Sequence, residues 1–128
     1  MMKHWTVFEG RPNGAARGLP RVTLAPNSTI LLNEPLWIRM GRPEAVELMF
    51  DAPNRLIGMR RTDPKRTNAF PLKKKARSSY HTISAGAFLQ HFGIRVERTT
   101  LLAPVEVETG GLASCGMSQA INVGRGSR

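Results

Sequence analysis

The sequence predicts a mainly β protein with two short helices, built as one pseudo-twofold β-barrel from two tandem halves, residues 21–62 and 68–108. The first reason is a repeat: a strand, a turn, a strand and a short helix closed by glycine occur in that order in both halves. The second is that apolar residues alternate along the strand segments, as in half-buried strands. The third is size, because a unit of about 40 residues cannot bury an adequate core alone, so the two halves must interleave.

A hairpin and a short helix open the first half. The strand positions with period-two spacing are Val22, Leu24, Ile30 and Leu32, on either side of a turn at Pro26, Asn27 and Ser28. Asn33 is a favourable N-cap residue, and Pro35 suits the first turn of a helix. Gly41 stands where a left-handed residue would end that helix. A second hairpin follows, with strands at residues 46–50 and from 56 onward and a turn at 51–54.

The second half repeats this order. Phe70 and Leu72 open a strand, the basic segment 73–77 with two serines forms the turn, and residues 80–83 return. Ser84 is the predicted N-cap of the second helix, and Gly93 is its predicted end. Strand material follows up to Val107. Buried helix stripes are predicted at Leu36, Trp37, Phe88, Leu89 and Phe92, because a small domain needs its large apolar side chains in the core.

The two ends of the chain lack a sustained apolar pattern. Residues 1–20 are predicted to form an N-terminal arm, and the glycine-rich residues 109–128 are predicted to be a flexible C-terminal tail. A protein partner could order that tail through its scattered apolar residues, which are Leu112, Met117, Ile121 and Val123. A homodimer is also left open.

Catalysis and cofactor binding find little support in the sequence. His4, His81 and His91 are far apart, and no phosphate-binding loop or dinucleotide-binding glycine motif occurs. Cys115 is the only cysteine, which excludes an intramolecular disulfide and a cysteine-based zinc site. We therefore expect no cofactor, no metal and no enzyme activity. The chain has one cysteine, no signal-peptide pattern and no long apolar run. These features predict a cytoplasmic protein that does not bind a membrane.

Positive charge is concentrated in one stretch. The chain has a formal charge of +10, and eight of the eighteen residues from Arg60 to Arg77 are basic, with Asp63 the only acid. Clustered Lys and Arg bind polyanions because they displace counterions from phosphates. The stretch therefore favours nucleic-acid binding. The alternative interpretation is a solvated linker.

The first half also resembles a known family. The run VTLAPNSTILLNEPLWIRMG, from Val22 to Gly41, resembles the SpoVT/AbrB-like swapped-hairpin family, and VELMFDAPNRLIGM, from Val46 to Met59, is similar to its second hairpin. The resemblance implies a swapped-hairpin (AbrB-like) β-barrel and DNA binding by a transcription regulator or an antitoxin. Two copies in one chain are similar to the tandem arrangement of the MraZ regulators.

The charge pattern departs from that of the family. The first turn, residues 25–29, has no basic residue, and Trp37 stands where the family commonly has arginine. The second half has lysines and an arginine in its equivalent hairpin. We therefore expect the first half to serve mainly as a scaffold and the second to contact nucleic acid.

The predicted contacts are divided by role. Phosphate contacts are assigned to Arg60, Arg61, Lys65, Arg66, Lys73, Lys74 and Lys75. Arg77, Ser78, Ser79 and His81 are the better candidates for base contact, and the sequence alone does not separate the two roles. Double-stranded DNA is the expected partner because a two-stranded ribbon fits the major groove. RNA is left open, although no RNA-recognition motif is visible.

These observations lead to two hypotheses. The first is a small basic DNA-binding protein, a transcriptional regulator or antitoxin-like factor that grips duplex DNA through its second-half hairpin. The alternative is a non-enzymatic assembly or interaction subunit, of a phage, a mobile element or a toxin complex, that uses the barrel as a docking platform.

Overall fold

Nine strands and two helices make up the fold in a computed structural model that describes Trp5 and residues 18–117. The elements in chain order are β1 (Val22–Leu24), β2 (Thr29–Leu32), α1 (Glu34–Arg39), β3 (Ala45–Asp51), β4 (Leu56–Arg61), β5 (Phe70–Lys74), β6 (His81–Ser84), α2 (Gly86–Phe92), β7 (Thr100–Leu102), β8 (Val105–Val107) and β9 (Ala113–Gly116). Among the described residues, neither helix has the length and apolar character needed to cross a membrane.

All nine strands belong to one antiparallel sheet that nearly closes into a barrel. Their order is β7-β1-β2-β6-β5-β3-β4-β9-β8. The two outermost strands, β7 and β8, are consecutive in the chain and are separated only by Ala103 and Pro104. The two edges of the sheet are therefore parts of one bent segment, which brings the edges together. The predicted mainly β, barrel-like fold with two short helices is confirmed.

The two halves exchange strands. β3 of the first half pairs with β5 of the second, and β7 of the second half pairs with β1 of the first. The halves also meet at two central pairings, where Ile30 faces Ile83 and Ile57 faces Cys115. All four of these residues are fully buried. Neither half could therefore complete the sheet without the other.

The first helix begins and ends as its sequence predicts. The Asn33 side-chain oxygen accepts a hydrogen bond from the Leu36 amide at 3.2 Å, and Pro35 lies in the first turn. After the last turn, Gly41 has φ +90°, a left-handed conformation that glycine adopts without a steric penalty. The predicted N-cap and terminating glycine are both confirmed.

The second helix differs at its start. Ser84 does not cap it, because Ser84 is the last residue of β6 and pairs with Thr29 of β2. The N-cap position is Ala85, which offers no side-chain hydrogen bond. The predicted Ser84 cap is therefore wrong, whereas the predicted end at Gly93 is confirmed by its φ of +68°.

The core lies between the sheet and the two helices. Leu36, Phe88 and Leu89 are buried, as the helix stripes predict, and they pack with inward-facing strand residues of both halves. Trp37 is only partly buried. Phe92 is predicted to be buried but is 42% exposed; it is the last residue of α2, and its ring contacts Phe50 and Phe88. Each half therefore contributes a helix to one shared core.

The barrel extends past its predicted boundary at residue 108. Strand β9 pairs with both β4 and β8, and Met117 is fully buried. The prediction of a flexible tail is therefore wrong for residues 109–117, and Met117 is a core residue rather than a docking residue. Leu112 is half-buried beside β9. Ile121 and Val123 lie outside the described residues, as does most of the predicted N-terminal arm.

Two adjacent glycines test whether this segment belongs to the fold. Gly110 and Gly111 both have positive φ, so alanine at either position has a backbone cost of about 1–2 kcal/mol. A Cβ at Gly111 would lie 2.8 Å from the Met40 carbonyl oxygen, whereas a Cβ at Gly110 would meet nothing within 4 Å. We expect Gly111→Ala to lower the free energy of unfolding, measured by urea denaturation, by clearly more than Gly110→Ala. Equal losses would contradict the close packing of this turn against Met40, the residue that follows α1.

Candidate nucleic-acid interface

The β5–β6 hairpin projects beyond its neighbouring strands. β6 last pairs with β2 where His81 faces Leu32, and β2 then leads into α1. On the other side, the last backbone hydrogen bond from β5 toward the first half runs from the Leu72 amide to the Glu44 oxygen. The tip, residues 75–80, therefore lies past the end of both flanking strands. Each residue from Lys73 to Arg77 is exposed.

Hydrogen bonds within the tip fix its shape. The Lys75 amide donates to the Tyr80 oxygen at 2.8 Å, and the Tyr80 amide donates to Ser78 Oγ at 3.0 Å. Lys74 Nζ donates to the Ser78 carbonyl oxygen at 2.5 Å. Arg77 has φ +59°, a conformation that is uncommon outside glycine and marks the sharp part of the turn. These bonds therefore fix the backbone that carries the exposed cations.

Three cations of this hairpin have no compensating charge. Lys73, Lys75 and Arg77 form no ion pair, and the only ion pair within residues 18–117 joins Arg60 to Glu47. The segment from Lys73 to Ser84 contains no acid. Lys74 differs from its neighbours because its ammonium group closes the turn on Ser78. The hairpin tip therefore carries free positive charge that is available to an anionic partner.

The other predicted cations lie at the end of β4 and in the loop that follows. Arg60 bonds Glu47 at 2.5 Å, and Asn68 also donates to that carboxylate. The hydrogen bond from Arg60, followed by that from Asn68, lowers the pKa of Glu47 below its usual value of 4.5. Arg60 is therefore partly compensated, whereas Lys65 and Arg66 are exposed without an ion pair in the described part of the chain.

His81 is the exception among the predicted contacts. Its ring stacks on Trp37 of α1, with centroids 3.9 Å apart and planes 15° from parallel, and the residue is 8% exposed. A side chain held in this way cannot reach a base edge unless the stack opens. His81 is therefore a support beneath the hairpin, and the role in base contact assigned to it does not fit this position.

The surroundings of His81 favour its neutral form. Burial lowers the pKa of His81 below its usual 6.5, and the nearby positive charge of Lys74 lowers it further. Glu34 of α1 acts in the opposite direction but more weakly. Burying an imidazolium next to a lysine is unfavourable because the charge loses hydration and meets a like charge. At neutral pH the ring is therefore an uncharged stacking partner for Trp37.

The first half of the chain also contributes residues beside the hairpin, which the sequence analysis does not predict. Trp37 Nε1 donates to the Pro43 oxygen at 3.1 Å, which fixes the indole against the loop after α1. In that loop, the Arg42 guanidinium carbon lies 6.0 Å from the centroid of the Trp37 ring. The only sequence signal was the Gly41-Arg42 pair at the predicted helix end. Arg42 is connected to the hairpin only through Trp37 and His81, and this connection depends on the pairing of the two halves.

No protein-family model matches the chain, and no curated protein or solved structure matches it either. The function of this surface must therefore be inferred from its own geometry and charge.

The remaining chemistry-bearing groups do not form a second site in the described residues. Within residues 18–117, no three His, Cys, Asp or Glu side chains are grouped so that they could hold a metal ion. Cys115 is fully buried, and burial raises the pKa of its thiol to about 12. Its sulfur lies 3.7 Å from the Ile57 oxygen, to which it donates. Such a thiol is a core residue with little nucleophilic character.

The buried histidine makes a pH-dependent contribution to stability. Because the pKa of folded His81 is lowered, the unfolded chain binds the proton more readily than the folded chain. The contribution of neutral His81 to the free energy of unfolding is therefore fully present above about pH 6.5 and is lost as the pH falls through the folded pKa. We expect the urea midpoint to fall between pH 7.5 and 5.5, and His81→Phe to reduce that fall while keeping a ring against Trp37. Glu47 titrates below this range.

The exposed His91 provides the matched control. His91→Gln removes one histidine from the end of α2 and should leave the pH-dependent fall in the urea midpoint intact. A fall of the same size in His81→Phe and in the parent would mean that His81 is not the titrating group.

Proposed function

We propose that this protein is a small, basic, non-enzymatic DNA-binding protein that grips duplex DNA through the β5–β6 hairpin and acts in transcriptional control, as a regulator or an antitoxin-like factor. The observation that supports this most is the set of exposed, uncompensated cations on a projecting two-stranded ribbon. A protein that acts on DNA and keeps its only thiol free belongs in the cytoplasm.

The dimensions of the ribbon suit a DNA groove. Two paired strands lie about 4.8 Å apart, and the major groove of B-DNA is about 12 Å wide, so a hairpin with its side chains can enter it. Lys73, Lys75 and Arg77 would then meet phosphates along the groove or guanine edges within it. Phosphate contacts release counterions, so the affinity of such a complex falls steeply as salt increases.

The two hairpins differ in a way that favours the second as the reader. The first tip, residues 25–28, is uncharged and packs on the other half, because the Ala85 amide donates to the Ser28 oxygen at 2.9 Å. Pro26 and Ser28 also face Leu89 and Ile94 across a small cavity. The second tip is charged and projects past its neighbours. One hairpin is therefore engaged by the protein while the other is free for a partner.

For the fold type, we propose a swapped-hairpin barrel of the AbrB-like kind, with tandem halves as in the MraZ regulators. The exchange of β3 and β7 between the halves supports this, since each third strand pairs with the first strand of the other half. The capped helix between the two hairpins of the first half, ending at Gly41, is the second support.

A second candidate function is that of an assembly subunit that docks other proteins. It is favoured by an exposed apolar patch where β7 lies beside β1. Leu19 is 72% exposed and Leu101 is 50% exposed, and both line a shallow depression with Pro20 and Val105. Apolar side chains grouped on a surface are typical of protein interfaces.

The DNA-binding proposal is tested by removing three cations of the hairpin. The variant Lys73→Gln, Lys75→Gln, Arg77→Asn keeps Lys74, which closes the turn, and asparagine tolerates the positive φ of Arg77. Duplex affinity is measured by fluorescence anisotropy from 50 to 200 mM salt. Since each phosphate contact contributes about 0.9 to the log-log salt slope, we expect the slope to fall by about 1.8 if Arg77 contacts a base and by about 2.7 if it contacts a phosphate, and Kd at 0.1 M salt to rise about a hundredfold or more.

A control variant removes the same charge elsewhere. Arg55→Asn, Arg95→Gln, Arg98→Gln also lowers the net charge by three, and Arg55 shares the positive φ of Arg77. Its slope should stay close to that of the parent. Equal slopes in the two triple variants would mean that affinity follows net charge and not this hairpin. If the parent binds no duplex DNA at 50 mM salt, the DNA-binding proposal is wrong and the assembly function is the better one.

A further inference from the structure

We infer that Arg42, in the loop after α1, is a phosphate-binding residue of the same surface, so that the DNA interface includes the first half of the chain as well as the hairpin. This inference rests on the proposed DNA binding. It differs from the expectation that the first half is only a scaffold. Three sets of contacts connect Arg42 with the predicted cations on both sides of it.

The first set joins the hairpin to α1. Lys74 and His81 face each other across the β5–β6 pairing, so their side chains lie on the same face of the sheet. His81 stacks on Trp37, and the stack buries nearly all of the imidazole. The base of the basic hairpin is therefore packed directly on the helix of the other half.

The second set joins α1 to Arg42. The Arg42 amide donates to the Trp37 oxygen at 2.9 Å, and Trp37 Nε1 donates to the oxygen of the next residue, Pro43, at 3.1 Å. These two bonds hold the backbone on both sides of the arginine against the tryptophan. The guanidinium lies 6.0 Å from the indole centroid, at the outer limit of a cation–π contact. Arg42 is thus an exposed cation on a fixed backbone.

The third set joins this loop to the other group of predicted cations. Arg61 Nη1 donates to the Gly41 oxygen, at 3.5 Å. A Cβ on Gly41 would lie 2.5 Å from that nitrogen, so the absence of a side chain at Gly41 makes room for the Arg61 guanidinium. Gly41, which precedes Arg42 in the chain, therefore contacts Arg61, one of the predicted cations at the end of β4. Arg42 is therefore connected to both sets of predicted cations, through Gly41 to Arg61 and through Trp37 and His81 to the hairpin.

The charge of Arg42 is available for a ligand. Among the described residues it has no ion pair, although Glu44 is only two positions away. A purely structural interpretation exists, because a cation near the C-terminus of a helix interacts favourably with the helix dipole. That role would affect the stability of the protein and would leave the salt dependence of DNA binding unchanged. The two roles can therefore be separated by experiment.

The chain offers a close match for the test. Arg42 and Arg55 are both exposed arginines with positive φ, of +53° and +55°. Arg55 lies in the β3–β4 turn, and the whole length of β3 separates the two positions. Arg42→Asn and Arg55→Asn therefore remove the same charge and place the same residue, which tolerates a left-handed backbone, in the same conformation.

We expect Arg42→Asn to reduce the log-log salt slope of duplex binding by about 0.9, which raises Kd at 0.1 M salt by about five- to tenfold. Arg55→Asn should leave the slope unchanged. The two variants should have the same urea midpoint as each other, which excludes unfolding as the cause of a difference.

Each outcome separates this inference from the proposed function. If the parent binds DNA, the hairpin variant loses binding, and Arg42→Asn behaves like Arg55→Asn, then the interface is confined to the second half and the inference about Arg42 is wrong. If the parent binds no duplex, both the DNA-binding proposal and the inference are wrong. A salt slope that is reduced in Arg42→Asn but not in Arg55→Asn supports an interface that spans the two halves.

Discussion

The pairing of strands between the two halves is the constraint on which the rest of the molecule depends. Each half on its own would leave strand edges with unpaired amide and carbonyl groups, which are costly to bury. The exchange of β3 and β7 covers these edges, and it also sets where each hairpin tip lies. The β1–β2 tip meets α2, and the base of the β5–β6 hairpin meets α1. The positions of the charged tip and of the buried His81 follow from this reciprocal arrangement.

The contact between hairpin and helix differs between the two ends of the molecule. At one end, Ser28 and Leu89 leave a small cavity between hairpin and helix. At the other, Trp37 and His81 form a stack of two rings between α1 and the base of the β5–β6 hairpin. Aromatic pairs contribute roughly 0.5–1.5 kcal/mol beyond the area that they bury. The stack stiffens the base of the one hairpin whose tip is charged.

Features that depend only on residues close together in the sequence could be predicted from it. The hairpin turns, the Asn33 cap and the two helix-ending glycines need only neighbouring residues, and the structure has them where the sequence predicts them. Ser84 was misjudged because its pairing with Thr29, a residue of the other half, overrides its preference for a cap. Strand β9 was missed for the same reason: its glycine-rich segment becomes a strand only through β4, more than fifty residues earlier.

In the candidate site, too, only the features that do not depend on the pairing of the halves could be predicted from the sequence. The exposed cations of the hairpin were evident from composition, because a run of lysines on a turn has few other places to lie. The burial of His81 depends on its stack with Trp37, and the connection of Arg42 to the hairpin depends on both rings, so neither could be predicted without the arrangement of the halves. The pairing of Arg60 with Glu47 likewise requires the register of β3 and β4.

One connection, residues 62–69, joins the halves, and four of the eight strand pairings of the described chain run between them. A domain-swapped dimer, in which two molecules exchange their second halves, would keep all of these pairings. The monomer and the swapped dimer therefore have nearly the same internal energy. Protein concentration and the conformation of this short connection then decide between them. A domain-swapped dimer would present two charged hairpin tips on one particle. It could therefore bind bivalently without an additional interface.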